Sequence, residues 1–229
     1  MTFDFHYFMF GLFPYVMFSV LFLGSIVRFD RDPYSWRSKS SQLLRRKQLT
    51  WGSNMFHAGV LVVLTGHFFG LLTPIWVFEA MGISHGFKQV MAMTVGGIAG
   101  VFAVAGLLLL LHRRLFDVRI RATSSFADIA VLALLLVQLI LGLATIPVSM
   151  QHLDGVEVMK FMNWIQHIVT FRPGADEFIR DVHPLYKAHL ILGLFIFTVL
   201  PFTRLVHIWS APWGYVFRKQ YQIVRRREV

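Results

Sequence analysis

The sequence contains no cysteine. That excludes disulfides, thiolate metal sites and cysteine-held iron–sulfur clusters, so any redox metal must be held by histidine, methionine or carboxylate. Charge is also scarce. Only 15% of the 229 residues are Asp, Glu, Lys or Arg, against about a quarter in soluble domains. Acidic residues are the rarer sign, 12 against 22 Lys and Arg, for a formal net charge of +10. In a soluble protein that balance would suggest nucleic acid. Here 56% of residues are hydrophobic and mean hydropathy is +0.60, so no nucleic-acid partner is expected and the useful question is where the charge sits. No repeat, low-complexity tract or soluble-domain stretch is visible.

What is abundant is apolar sequence in long runs. A membrane-crossing helix needs about 20 mostly apolar residues. Five stretches qualify: Tyr7–Val27, Trp51–Leu72, Lys88–Leu111, Phe126–Val148 and Tyr186–Ile208. Lipid satisfies no backbone groups, so each must be helical. The expected fold is all-α, a bundle of five transmembrane helices forming one domain over residues 1–229. The stretch before the first span carries Asp4 and no Lys or Arg. A signal peptide begins with a basic region, so this span is read as a retained helix.

Charge sets the expected orientation. Arg28, Arg31, Arg37, Lys39, Arg45, Arg46 and Lys47 lie between the first two spans. Arg113, Arg114, Arg119 and Arg121 lie between the third and fourth, and Arg218, Lys219, Arg225, Arg226 and Arg227 in the C-terminal tail. All three segments fall on one side of a five-span chain. The positive-inside rule therefore puts the N-terminus outside and the C-terminus in the cytoplasm of a cell (inner) membrane, with Arg45, Arg113 and Arg226 inside and Glu79 and Asp176 outside. The basic segments serve as orientation signals and anionic-lipid contacts, or additionally as a docking face; the residues alone fit both. Trp51, Trp76, Tyr186 and Trp209 sit near span ends, as interfacial anchors do. In the long outer segment Ser149–Leu185, Val156, Met159, Met162, Trp164, Ile165 and Ile168 are apolar among polar residues. That pattern fits an amphipathic helix on the outer face or a surface turn packed on the helix ends.

Four of the ten histidines lie well inside the spans: His57 and His67 on the second, His189 and His207 on the fifth. Ionisable residues at that depth are costly and face the bundle interior. One such histidine is usually a helix–helix hydrogen bond; two on each of two helices is a different observation. His189 and His207 are eighteen residues apart, about five helical turns, so they share a face with a rise of roughly 27 Å. His57 and His67 are ten apart, roughly 80° out of phase with a rise of about 15 Å. Antiparallel spans then match His67 with His189 near the outside and His57 with His207 near the inside. Each pair can bracket one haem iron, giving two redox centres at different depths. The two rises differ by roughly 12 Å, and Pro201 can supply a kink that absorbs part of this. Gly66, Gly70 and Gly193 lie beside the histidines, either as gaps for a porphyrin or as ordinary close packing. Arg204, three before His207, can pair with a haem propionate or snorkel to headgroups. Lys88 likewise either holds a quinone oxygen or snorkels. The remaining six histidines, His6, His85, His112, His152, His167 and His183, lie at or outside span ends and receive no ligand role.

The segments SSQLLRRK from Ser40, GHFFGLLTP from Gly66, RRLFDVRIRAT from Arg113, LATIPVSMQHLDG from Leu143 and RLVHIWS from Arg204 resemble the gamma, cytochrome b, subunit family of membrane-bound respiratory nitrate reductases. The resemblance spans nearly the whole chain, loops included. It implies a five-helix subunit with two b haems that oxidises quinol near the outer face. Electrons would pass to a cytoplasmic iron–sulfur subunit and then to a molybdenum-cofactor subunit that reduces nitrate. The family's four haem ligands fall on His57, His67, His189 and His207, its quinol-site lysine on Lys88, with Gly66 beside it. The chain carries no motif for nitrate chemistry itself.

Two other readings compete. A di-haem quinone-reactive subunit of the same build could serve another terminal reductase, of sulfur-compound or heterodisulfide type. A haem-free proton-coupled transporter could use the histidines as relays, but it needs acidic partners within the spans, and Asp128 is the only carboxylate near one.

Overall fold

A computed structural model describes residues 4–36 and 44–210. The basic residues Arg37 and Lys39 and those of the tail from Arg218 to Arg227 lie outside the described residues. Five helices are long and apolar enough to cross a membrane: Phe5–Arg31, Arg46–Leu72, His85–Phe116, Phe126–Ser149 and Pro184–Phe202. We number the helices α1 (Phe5–Arg31), α2 (Arg46–Leu72), α3 (Ile75–Ala80), α4 (His85–Phe116), α5 (Val118–Ala122), α6 (Phe126–Ser149), α7 (Val156–Val169) and α8 (Pro184–Val199). The spans start where the sequence offers caps. Ser84 Oγ accepts from Phe87 N at α4, and Ser125 and Asp128 form a reciprocal capping box at α6.

The spanning helices pack in an open series. α2 lies along α4, α4 on α6, α6 on α8, and α8 on α1. The α2–α4 crossing is close because small residues face each other there. A Cβ at Gly106 of α4 would stand 2.7 Å from the Gly52 carbonyl oxygen and 2.9 Å from the Met55 carbonyl carbon of α2. Ala103 and Leu107 are fully buried at this contact. α2, which carries His57 and His67, and α8, which carries His189, do not pack along one another.

Proline shapes α1. Pro14 has no N–H to donate to the Phe10 carbonyl, and a π turn spans Phe8–Leu12. The freed Phe10 oxygen accepts from Trp164 Nε1 of α7 at 2.8 Å. The segment that reads equally as amphipathic helix or surface turn is thus a helix, seated on the span ends. Met162, Trp164 and Ile168 form its buried side. Side-chain amides stitch the same end: Gln166 Nε2 donates to the Leu71 and Thr73 carbonyls at the end of α2, and Gln89 Nε2 donates to the carbonyls of Ser149 and His152.

Two expectations change. The fifth span does not run as one helix to Ile208. It ends at Val199, continues as 3-10 turns over Leu200–Phe202 and Arg204–Ser210, and is broken between them by Thr203 in extended conformation (φ −117°, ψ 179°). Pro201 withdraws a donor, and Arg28 of α1 takes up carbonyls at the break: its Nη1 donates to Pro201 O at 2.6 Å and Thr203 O at 2.8 Å. The straight-helix rise between His189 and His207 therefore does not apply. Tyr186 is also not a lipid-facing anchor. It is buried, with its hydroxyl 2.6 Å from Ser149 Oγ, because the α7 segment covers that end. Trp51 and Trp76 remain exposed.

Candidate functional site

On α2, Gly52 and Gly59 pack toward α4, whereas His57 and His67 are exposed. Both histidines look across to the fifth span. The His67 and His189 ring centres are 6.2 Å apart with planes at 40°; those of His57 and His207 are 6.2 Å apart at 63°. These are the two pairs that antiparallel spans imply. The separation has a chemical meaning. A metal–nitrogen bond of about 2.0 Å plus about 1.1 Å from nitrogen to ring centre, taken on both sides, gives about 6.2 Å. Both ring separations equal that spacing.

Three of the four rings are oriented by the backbone. His57 Nδ1 bonds the Ser53 carbonyl at 2.7 Å, His67 Nδ1 the Val63 carbonyl at 2.8 Å, and His207 Nδ1 the Arg204 carbonyl at 2.7 Å. A carbonyl on Nδ1 fixes the tautomer that leaves Nε2 free as a ligand. His189 is held differently. Its Nε2 lies 3.4 Å from Gln138 Nε2, and its buried Nδ1 has no hydrogen-bond partner. Gly142 makes room for this ring, since a Cβ there would stand 3.0 Å from His189 Cε1.

No cluster of three or more His, Asp or Glu suited to a bare ion occurs among the described residues. A closed structural metal site needs about four protein ligands. Two imidazoles and no carboxylate suit a group that brings its own equatorial ligands, as haem does. The surroundings agree. A Cβ at Gly66 or Gly70 would meet no atom within 4 Å, so the space beside His67 is open on this face.

The other candidates separate. Arg204 is turned to a carboxylate: its Nε and Nη2 lie 2.9 Å and 2.5 Å from Asp128 Oδ1. Arg114 Nη1 is 3.9 Å from Asp128 Oδ2. Lys88 is buried beneath α7, with Nζ 2.6 Å from Met162 Sδ and 3.9 Å from the centre of the Phe78 ring. No carboxylate lies within ion-pair distance of Lys88 among the described residues. Lys88 and Gly66 are not brought into contact, because no atom lies within 4 Å of a Cβ at Gly66. Sequence reasoning missed Asp128 and Gln138 as neighbours of the site. The capping-box spacing of Ser125 and Asp128 was the available signal for the first, and a lone amide within a hydrophobic span for the second.

The family model described as nitrate reductase gamma subunit matches residues 6–227. The chain is 49% identical to the "Respiratory nitrate reductase 1 gamma chain" of Escherichia coli, covering 96% of this chain and 97% of that protein. It is 39% identical to the "Nitrate reductase gamma chain" of Bacillus subtilis, over 95% and 96%. A more distant similarity, 30% over 67% of this chain and 45% of the relative, is to an "Hdr-like menaquinol oxidoreductase cytochrome b-like subunit" of Archaeoglobus fulgidus. With the match running through spans and loops alike, the chain belongs to the nitrate reductase gamma subunit family, as a membrane protein of five spanning helices.

Proposed function

We propose that this chain is the quinol-oxidising, di-haem b-type cytochrome subunit of a respiratory nitrate reductase, one membrane domain with its N-terminus outside and its C-terminus in the cytoplasm. The observation that carries the reading is the two imidazole pairs, each 6.2 Å between ring centres. Haem b, when bound between each pair, supplies a one-electron redox centre, one near the α7 end and one near the basic end. His67 and His189 hold the first and His57 and His207 the second.

Oxidising a quinol to a quinone releases two electrons and two protons. A site for it needs a hydrogen-bonding group at a reacting oxygen. Lys88 offers an ammonium buried beneath α7, close to Met162 and Phe78 and with no carboxylate within ion-pair distance among the described residues. It can hold a quinol oxygen by a charge-assisted hydrogen bond. Gly66, the residue before His67, leaves open space on the neighbouring side of α2, where a ring can approach. Electrons leave at the basic end toward an iron–sulfur subunit and a molybdenum-cofactor subunit, the partners that a gamma chain implies.

The Archaeoglobus relative favours one second reading, the same di-haem core serving another reductase. The match over 96% of the chain to nitrate reductase gamma chains weighs against it. A histidine relay for protons is weaker still, because Asp128 is paired with Arg204 rather than with a histidine. The test is reduction of the purified membrane protein by a quinol analogue, read as a b-type absorption change. Reduction of both haems is expected, and a colourless protein would end the reading.

A further inference from the structure

Among the described residues, Asp128 is the one buried carboxylate of the spanning helices, and the electron-transfer reading leaves it without a task. It is buried at the first turn of α6. Its position there is fixed by the capping box: Oδ2 accepts from Ser125 N at 3.0 Å, and Asp128 N donates to Ser125 Oγ at 3.3 Å. Oδ1 takes Arg204 by two nitrogens, and Arg114 lies just beyond at 3.9 Å. Arg204 in turn begins the 3-10 turn that carries His207, and its carbonyl accepts the His207 Nδ1 proton at 2.7 Å.

His57 and His67 need no such help. Each sits in mid-helix and bonds the carbonyl four residues before it, which the helix itself holds in place. His207 follows an extended residue, Thr203, so continuity with α8 does not set its position. The 204–210 segment is pinned from outside instead: Arg28 holds the carbonyls of Pro201 and Thr203, and Asp128 holds the Arg204 side chain. We infer that Asp128 is a positioning residue for the His207 ligand, acting through Arg204 to fix the carbonyl that orients the imidazole. This rests on the haem reading above. Loss of outer-shell partners of this kind typically costs about 10- to 100-fold in metal affinity or activity.

The test compares D128N and D128E with the parent protein in membranes, reading haem content, the low-spin EPR signal and the midpoint potential of each haem. In D128N, occupancy of the His57/His207 haem falls about tenfold or more. In whatever fraction remains, its potential rises, because the Arg204 charge is no longer balanced. The His67/His189 haem is unchanged in both respects. D128E restores the ion pair with a longer arm and recovers most of the occupancy, with a displaced EPR signal at that haem alone. Should D128N fail to accumulate, D128E decides by the same selective displacement. Both haems unchanged in the accumulated variants, or both perturbed equally, would overturn the inference. A parent protein without two haems would instead remove the reading on which it rests.

Discussion

At the scale of the residue, Lys88 is the most exposed to test. Burying an ammonium without a carboxylate is costly, and its present neighbours are a thioether and an aromatic face. Neither compensates a charge fully, which leaves the ammonium able to donate to the quinol oxygen proposed above. Lys88→Ala should keep both haems and assembly while slowing their reduction by a quinol analogue by about 10- to 10²-fold, the loss expected for a charged hydrogen-bond partner. Stopped-flow absorbance at the reduced b band measures it. Electron delivery from a small artificial donor to the soluble partners should be unaffected. Normal quinol-driven reduction in the variant would move the site elsewhere, with the segment around His152 next in line. The histidines are legible in the sequence at this scale because intramembrane imidazoles are rare and their spacing pairs them. The ties of Arg204 were not legible. Its side chain suits a propionate or a headgroup equally well on paper, and only the fold brings Asp128, 76 positions away, into reach.

Helices and their crossings carry the next set of consequences. The five spans follow from hydropathy alone, because a run of apolar side chains in lipid has one backbone solution. The end of the fifth does not. Pro201 reads as a kink, yet the chain leaves helical conformation at Thr203, because Arg28 and Asp128 reward another path with hydrogen bonds that no local pattern encodes. The α2–α4 crossing supports a sharper forecast. At Gly106 the obstacles to a side chain are the backbone of Gly52 and Met55, which cannot rotate away. Gly106→Val should cost about 1–3 kcal/mol or more and lower the unfolding temperature in detergent. Gly96, where a Cβ meets nothing within 4 Å, provides the contrast: Gly96→Ala should leave that temperature unchanged or raise it. Equal losses at both positions would mean that the crossing is not the close contact described. Trp164→Phe offers a second check on the elements. It removes the donor to Phe10 O at the π turn and leaves a buried carbonyl unsatisfied, a cost of about 1–3 kcal/mol.

For the whole molecule, the claim is a directional electron path, and direction depends on orientation. The basic end is partly structural, since Arg45 pairs with Asp117 at 2.8 Å and Arg113, fully buried, donates to Leu44 O. Positive charge there therefore has partners within the fold. Arg113 and Asp176, each buried, are poor labelling sites. Val118, 82% exposed at the basic end, and Phe171, 80% exposed beyond α7, are better ones. In this cysteine-free chain, Phe171→Cys should react with an impermeant thiol reagent on intact cells and Val118→Cys only after lysis. The reverse pattern would invert the molecule. The central claim is that each imidazole pair holds one haem, and the haem-to-chain ratio tests it most directly, measured in the parent and in the four single histidine-to-alanine variants. The account predicts a ratio of two in the parent and about one in every variant, with His57→Ala and His207→Ala losing the same spectral component and His67→Ala and His189→Ala losing the other. A parent ratio below two, or any variant that keeps both components, would contradict it.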